Sequence, residues 1–212
     1  MNEVQSFQFI HPTTILIAGA TGSGKTCFVF DLIDQRKNLF NVSIDEIIYC
    51  YGVWQDKFST YAKSILFHEG IIDLKELKND KKNRLIIYDD LMQEMNQEVS
   101  KSFTRYSHHK NVSVIFITQN IFSKNKYMRD VTLNSHYMVI FQQKRDASQI
   151  NCLMRQIKPG SSKDLMHIYK DCTKKLYSYI IFVFHPATRH QFLIYTNIFK
   201  DQIQSVYYPK DG

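Results

Sequence analysis

The sequence has no run of 18 apolar residues, so it predicts no membrane-spanning helix. Its first residues lack the basic segment and apolar core of a secretory signal, and we expect no secretion. The four cysteines include no C-x-x-C pair, which favours a reducing compartment and argues against a zinc site. Internal repeats and low-complexity tracts are also missing. With 44% apolar and 22% charged residues, the 212-residue chain is expected to be globular.

A glycine-rich motif lies near the start of the chain. It matches the pattern G-x-x-x-x-G-K-[ST], and its candidate nucleotide-binding residues are Gly19, Ala20, Thr21, Gly22, Ser23, Gly24, Lys25 and Thr26. The apolar run 13–18 predicts a buried strand before it, and 27–33 predicts a largely buried helix after it. Strand, loop and helix in this order form a phosphate cradle, because glycines let N–H groups at the helix N-terminus approach an anion. Lys25 would reach the β- and γ-phosphates, and Thr26 would offer its hydroxyl to Mg²⁺. A chance match in an ordinary glycine turn is the alternative.

A second motif ends in two carboxylates. The apolar residues 85–88 predict a strand buried on both faces, and Asp89 and Asp90 follow it. We expect Asp89 to hold Mg²⁺ beside the phosphate loop. Asp90 would point to the other face of the pleat and polarise the attacking water. The alternative is that Asp90 caps a helix that begins at Leu91.

A polar amide, that of Gln119, ends the predicted strand 111–119. An additional strand here is typical of the P-loop subclass that uses an acidic base and a polar sensor. Gln119, at its carboxyl end, would contact the γ-phosphate or the attacking water. The alternative is a capping amide in a turn with Asn120.

Apolar patterning and turn residues predict the remaining elements. The expected strands are 46–51, 64–68 and 137–141, with a weak edge strand at 5–11. The expected helices are 74–77, 91–106, 147–157 and 163–169. The strands 179–184 and 192–195 predict a terminal antiparallel hairpin. The fold class is therefore α/β, with a mostly parallel central sheet flanked by helices and ended by this hairpin.

Positive charge is concentrated in the second half of the chain. The net charge is +7, and residues 101–131 carry six Lys/Arg against one acid. Residues 155–175 carry six against two. A polyanionic partner explains this asymmetry, and a solvated lysine-rich surface is the alternative.

Several segments together resemble one family. In family order they are Gly19–Thr26, Leu85–Leu91, residues 108–115, Gln119–Phe122, Arg129 with Leu133 and Asn134, and Arg145 and Asp146 with Gln149 and Ile150. On these segments, roughly residues 13 to 160, the chain resembles the viral genome-packaging ATPases of the FtsK–HerA superfamily. Poxviruses, virophages and polinton- or adintovirus-like elements carry such proteins. The Gln119–Phe122 segment is the most specific of the matches.

The resemblance implies a P-loop NTPase fold of the additional-strand, catalytic-carboxylate type. It implies a single ATPase domain over 1–212, with a core at about 13–160 and C-terminal helices and hairpin at about 161–205. ATP and Mg²⁺ would be bound, and hydrolysis would move double-stranded DNA into a capsid. The implied partners are this DNA, a capsid or portal vertex, and further copies in a pentameric or hexameric ring. The implied location is the virus assembly site inside the infected host, with the virion as a further place.

The sequence departs from many relatives at two points. They have Arg-His before the fourth strand, where this chain has His108 and His109. Arg105 is therefore the first candidate for the arginine that reaches the nucleotide of the next subunit, and Arg129 is the alternative. Asp90 stands where many relatives have Glu, which shortens the reach of the same chemistry.

DNA contact in such a motor is expected to run from Lys and Arg to phosphates, independent of base sequence. Lys124 and Lys126 are the candidate DNA contacts. A helicase or conjugation-type pump is a close alternative function. A small-molecule kinase is a more distant one, because no arginine-rich lid is evident. The Asp89–Asp90 pair argues against a scaffold that only binds ATP.

Overall fold

The computed structural model describes residues 6–78, 80–107, 110–123, 125–143, 145–188 and 193–208. Within these ranges, nine strands form one sheet. The strands are β1 (Thr14–Ala18), β2 (Glu46–Tyr51), β3 (Leu66–Glu69), β4 (Arg84–Asp89), β5 (Val112–Thr118), β6 (Tyr137–Phe141), β7 (Tyr179–Val183), β8 (Leu193–Thr196) and β9 (Ser205–Tyr207).

The strands follow the order β3-β2-β4-β5-β1-β6-β7-β8-β9 across the sheet. Neighbours from β3 to β6 pair in parallel. The pairs from β6 to β9 are antiparallel. The prediction of a mostly parallel sheet that ends in an antiparallel hairpin is therefore confirmed, and β5 is the additional strand between the two motif strands. The sequence did not predict β9, which extends the hairpin by one strand.

Helices cover both faces of the sheet. In the described ranges they are α1 (Lys25–Asp34), α2 (Arg36–Leu39), α3 (Phe58–Tyr61), α4 (Gln97–Lys101), α5 (Lys126–Leu133), α6 (Ala147–Ile157) and α7 (Ser162–Cys172). A π-helical turn, Ser102–Tyr106, continues α4, and a 3₁₀ turn, Pro159–Ser161, joins α6 to α7. One core layer holds α1 to α3, and the other holds α4 to α7. None of these helices is long and apolar enough to cross a bilayer.

The strand β4 shows how the sheet places the second motif. All its residues are buried. Leu85 and Ile87 pack in the layer of α1, whereas Ile86 and Tyr88 pack in the layer of α4 to α7. Because side chains alternate along a strand, Asp89 falls on the same face as Ile87. The last residue of β4 therefore faces the start of α1.

The helix expected over 91–106 is shorter than predicted and begins at Gln97. Its cap is Asn96, whose side-chain oxygen accepts hydrogen bonds from two N–H groups of the first turn, at 2.9 and 3.4 Å. The residues between β4 and this cap form a turn. The alternative that Asp90 caps a helix is therefore wrong.

Two further predictions of local structure are also wrong. The segment 74–77 is a turn and not a helix. The side chain of Asp73 accepts a 2.9 Å hydrogen bond from the N–H of Lys75, a local bond that competes with helix formation. Of the weak edge strand over 5–11, the described part holds only an isolated bridge at Phe9.

Candidate functional site

The predicted strand, loop and helix of the first motif are present. The strand β1 ends at Ala18, the helix α1 begins at Lys25, and residues 19–24 form the phosphate loop between them. Gly22 and Gly24 have φ angles of 73° and 100°, which side chains with a Cβ rarely adopt. Gly24 caps α1, so the loop opens onto the N-terminus of a helix, where N–H groups attract anions.

The loop also packs closely on the end of β6. A Cβ at position 19 would lie 2.6 Å from the Cβ of Phe141 and 2.6 Å from the Oγ of Ser23, so only glycine fits. The Oγ of Ser23 is buried and has no hydrogen-bond partner among the described residues. A buried hydroxyl without a partner inside an anion cradle suits an incoming phosphate oxygen.

The ammonium group of Lys25 lies beneath the loop. Its Nζ donates hydrogen bonds to the backbone oxygens of Gly19 and Ala20, both at 2.8 Å. Burial lowers the pKa of Lys25, and the negative charges of Asp89 and Asp90 oppose this shift. The structure thus places a partly desolvated cation at the centre of the loop.

The second motif meets α1 at Asp89. Its Oδ2 lies 3.5 Å from the hydroxyl of Thr26 and accepts a 2.6 Å hydrogen bond from the hydroxyl of Tyr49. Only 6% of Asp89 is exposed. Burial raises the pKa of the Asp89 carboxyl, while the bond from Tyr49 and the charge of Lys25 hold it down. A carboxylate and a hydroxyl, the hard oxygen ligands of Mg²⁺, therefore lie side by side.

Tyr49 is a site residue that the sequence prediction missed. It lies on β2 opposite Ile87 of β4, on the same face as Asp89 two residues further on. Burial, followed by the charge and hydrogen bond of Asp89, raises the pKa of the Tyr49 phenol. The signal in the sequence is weak, a hydroxyl in the buried middle of a mostly apolar strand, and its partner depends on strand register.

Asp90 lies beyond the end of β4, and not on the opposite face of its pleat as expected. Its φ is 56°, and its side chain is exposed. The left-handed backbone turns the chain away from the strand direction. Asp90 still lines the cleft that Lys25 and Asp89 share.

A further carboxylate, that of Glu94, enters the same cleft from the turn before α4. A Cβ on Gly52 would lie 3.2 Å from the backbone oxygen of Asp90 and 3.7 Å from Oε1 of Glu94. The turn therefore folds back against the end of β2. The sequence prediction missed Glu94 because it placed this residue inside a helix.

Gln119 contacts the phosphate loop directly. Its Oε1 accepts a 2.9 Å hydrogen bond from the hydroxyl of Thr21. The turn after β5 is closed by other groups, since the N–H of Asn120 bonds with Thr118 Oγ1 at 3.1 Å and Asn120 Oδ1 accepts from Phe122 at 2.9 Å. The amide of Gln119 therefore faces the loop and does not cap this turn.

These groups border one cleft of about 590 Å³ between the phosphate loop and the ends of β4 and β5. Its polar lining includes Lys25, Thr26, Asp89, Asp90, Glu94 and Gln119. One cation, two hard oxygen ligands and the open N-terminus of α1 converge here. The residues present fit a triphosphate with Mg²⁺.

The remaining predicted residues lie elsewhere. Arg105 is exposed in the π-helical turn after α4, and Arg129 and Lys126 are exposed on α5. None of the three lines the cleft in the described part of the chain. Lys124 lies outside the described residues, as do His108 and His109.

The basic segments 101–131 and 155–175 share one layer of the molecule, because α4 to α7 pack on the same face of the sheet. Part of their charge serves the fold. Lys110 donates hydrogen bonds to the backbone oxygens of Leu74 and Lys75, at 2.8 and 3.3 Å. Others, such as Arg155 and Lys170, are exposed on α6 and α7.

No protein-family model matches the sequence, and no curated protein matches it. Similarity appears among solved structures. The DNA-packaging ATPase B204 of Sulfolobus turreted icosahedral virus is 15% identical, with a TM-score of 0.54, over 94% of this chain and 98% of that chain. The genome packaging NTPase B204 of Sulfolobus turreted icosahedral virus 2, in complex with AMP, is 14% identical, with a TM-score of 0.51, over 82% of this chain and 94% of that chain.

The same virus 2 protein in complex with AMPPCP is 15% identical, with a TM-score of 0.51, over 94% of this chain and 99% of that chain. At such identities the similarity concerns the fold and not the activity. The chain has the α/β fold of P-loop NTPases, with helices on both faces of a mostly parallel sheet and a C-terminal antiparallel extension.

Proposed function

We propose that this chain is a Mg²⁺-dependent ATPase. The observation that carries the proposal is the convergence of Lys25, Thr26 and Asp89 in one cleft at the phosphate loop. Lys25 now bonds to loop oxygens and would turn to the β- and γ-phosphates. Thr26 and Asp89 would hold Mg²⁺, which when bound neutralises charge on the phosphates.

The attacking water needs a carboxylate that accepts its hydrogen bond. Asp90 and Glu94 are both exposed in the cleft, whereas Asp89 is buried and already bonded to Tyr49. Asp90 is the base that the sequence predicts, and Glu94 is the alternative that the geometry adds. Gln119, which accepts a hydrogen bond from Thr21 of the loop, would contact the γ-phosphate when ATP is bound.

We further propose that hydrolysis drives double-stranded DNA into a viral capsid, in a motor of the FtsK–HerA superfamily. The motif order supports this, with Gln119–Phe122 as its most specific segment, and so does the fold likeness to proteins described as genome packaging enzymes. The helices of the basic segments pack on one face of the sheet, where their exposed Lys and Arg would contact DNA phosphates. The proposal also includes a single ATPase domain and a homo-oligomeric ring. It includes a capsid or portal as partner, and a location inside the infected cell.

The ATPase rate, measured with and without duplex DNA over a range of protein concentrations, tests both parts. We expect the rate per subunit to rise with protein concentration, because the ring must assemble, and to rise further with duplex DNA of any sequence. Lys25→Ala should fold, as circular dichroism would show, and lose hydrolysis. A Lys25→Ala variant that hydrolyses ATP at the parent rate would contradict the ATPase. A parent rate that ignores DNA would contradict the packaging motor alone.

A further inference from the structure

A second cleft, of about 500 Å³, borders the phosphate loop from the other side. It is lined by loop residues, by the residues after β6 and by the residues before β7, and Gln119 borders both clefts. Since β1 lies between β5 and β6, the first cleft opens toward β4 and β5, and the second opens toward β6 and β7. The loop therefore separates two open clefts on the same edge of the sheet.

The position of the carboxylates determines which end of a bound nucleotide lies in which cleft. Asp89, Asp90 and Thr26 all line the first cleft, which fixes the metal and γ-phosphate end there. The opposite end of a nucleoside triphosphate, its ribose and base, must then leave the loop on the side away from these residues. That side is the second cleft. This step rests on the proposed nucleotide binding at the loop.

Tyr177 lies in this second cleft, where its ring could stack on the base of a bound nucleotide. Its ring lies against the loop, since a Cβ on Gly24 would come within 3.2 Å of the Tyr177 Cδ1. Yet 62% of Tyr177 is exposed, and its neighbour Leu176 is 74% exposed. The φ of Tyr177 is 61°, a left-handed conformation that a bulky side chain adopts at a cost. Packing of the fold does not account for an exposed ring held in this conformation.

Polar groups surround this ring. Two amides and two cations line the same cleft, namely Gln142, Gln143, Arg145 and Lys175. The Nε2 of Gln143 donates a 3.3 Å hydrogen bond to the backbone oxygen of Gln119, which joins this wall to the carboxyl end of β5. An aromatic face with amides and cations around it is the chemistry that holds a base and its sugar-phosphate.

We propose that the second cleft is the base and ribose subsite for a nucleoside triphosphate, with Tyr177 stacked on the base. Stacking is insensitive to which base is present, because every base has an aromatic face. Tyr177 therefore sets the affinity for the nucleoside part of the ligand. The phosphate loop and Lys25 set the affinity for the triphosphate.

The test compares ATP with inorganic tripolyphosphate, which lacks the base and sugar, by titration calorimetry. The variant is Tyr177→Asn, because asparagine tolerates a left-handed backbone. Tyr208→Asn is the matched control, since Tyr208 is also 62% exposed. We expect Tyr177→Asn to raise the Kd of ATP about 5- to 100-fold, while the Kd of tripolyphosphate stays within about twofold. The control should bind ATP like the parent protein, and Tyr177→Phe, which keeps the aromatic ring, should restore most of the affinity that Tyr177→Asn loses.

The possible results separate this proposal from the one on which it rests. Parent protein that binds ATP no more tightly than tripolyphosphate overturns the base subsite and leaves the phosphate site intact. Equal loss for both ligands in Tyr177→Asn also overturns it, because the ring would then only support the loop. Parent protein that binds neither ligand overturns both proposals. Photolabelling of the parent with 8-azidoadenosine triphosphate gives a second reading, and label that lies outside both walls of the cleft, Gln142 to Arg145 and Lys175 to Ser178, contradicts the assignment.

Discussion

The hydroxyl of Tyr49 donates a 2.6 Å hydrogen bond to Oδ2 of Asp89, across two neighbouring buried strands. The same carboxylate oxygen lies 3.5 Å from the hydroxyl of Thr26. A carboxylate at the end of a strand can rotate, and a buried phenol that bonds to it fixes its direction. Tyr49 is therefore a positioning residue for a proposed metal ligand.

The first prediction concerns Tyr49→Phe. Loss of the hydroxyl leaves Asp89 without its orienting donor, and such a loss typically weakens metal binding by about 10- to 100-fold. We expect a matching rise in the Mg²⁺ concentration that gives half-maximal ATPase activity, with a smaller change in kcat at saturating Mg²⁺. Tyr88→Phe is the matched control, because Tyr88 is also buried on this sheet but packs in the other layer. An equal shift in both variants would leave Tyr49 without a positioning role.

The second prediction concerns Asp89→Asn. Burial raises the pKa of Asp89 above that of an unfolded aspartate, so the charged carboxylate costs stability above this raised pKa. The cost shrinks as the pH falls below this raised pKa, and it is gone below the pKa of an unfolded aspartate. Asparagine removes the charge and keeps an acceptor for Tyr49. We expect the melting temperature without nucleotide to rise at neutral pH and to match the parent in acid, while Mg²⁺-dependent hydrolysis is lost.

Differential scanning calorimetry across pH measures this stability change. Asp90→Asn serves as the control. Asp90 is exposed, so removal of its charge should change the melting temperature little at either pH. A gain that is equal at neutral and acid pH would show that packing, and not charge, is responsible.

The parts of the site that the sequence predicts are those encoded in a single stretch of chain. Residues 15–18 and 85–87 are apolar throughout because their strands are buried on both faces, and this leaves a plain signal. The polar residues that follow, Lys25 and Asp89, are then placed by chain connectivity alone. Parallel strands end at the same edge of a sheet, so the two motifs meet without any knowledge of register.

The parts that the sequence does not predict depend on contacts between distant segments. Tyr49 reaches Asp89 only because β2 pairs with β4 in one particular register. Glu94 enters the cleft because Asn96, and not Asp90, caps the following helix. Both aspartate and asparagine are good caps, so local preference could not decide between the two starts. The exposed ring of Tyr177 lies beside the loop through the tertiary fold alone.

The third prediction separates the two candidate bases. Asp90→Asn and Glu94→Gln each remove one carboxylate from the cleft and keep its shape. We expect Asp90→Asn to bind ATP and Mg²⁺ like the parent and to lower kcat by about 10²- to 10⁴-fold, because an amide cannot accept the proton of water. Glu94→Gln should retain most of the rate. Nucleotide affinity and single-turnover rates check this, and the reverse pattern would assign the base to Glu94.

The fourth prediction concerns DNA binding through the basic segment 101–131. The double variant Lys124→Gln and Lys126→Gln should lower the affinity for duplex DNA by a similar factor on every sequence. The slope of log K against log salt should flatten by about 0.9 for each DNA phosphate that the variant no longer neutralises. Lys37→Gln with Lys63→Gln is a control of equal charge, because both lysines are exposed and lie with α2 and α3 on the other side of the sheet. Fluorescence anisotropy over a salt series measures it, and a change that depends on base sequence would count against packaging.

The fifth prediction concerns the arginine that would act on a neighbouring subunit. Arg105 lies in the turn that leads to the amino end of β5, whereas Gln119 and the phosphate loop lie at its carboxyl end. The strand covers about 20 Å between these ends. Arg105 is thus remote from the cleft of its own subunit. A cation near a helix C-terminus that stabilises the fold by about 0.3–1 kcal/mol is the alternative role.

Mixing two inactive proteins decides between these roles. Arg105→Ala subunits keep an intact phosphate loop, and Lys25→Ala subunits keep the arginine. In a mixed ring, some interfaces join the intact phosphate loop of an Arg105→Ala subunit to the intact arginine of a Lys25→Ala subunit. If Arg105 acts across the subunit boundary, these interfaces regain hydrolysis. An arginine of this kind raises the rate by about 10³- to 10⁵-fold. We expect ATPase activity to appear on mixing and to peak at intermediate ratios. No recovery in rings confirmed by size-exclusion chromatography would exclude Arg105, and the same mixture with Arg129→Ala then tests the exposed arginine on α5.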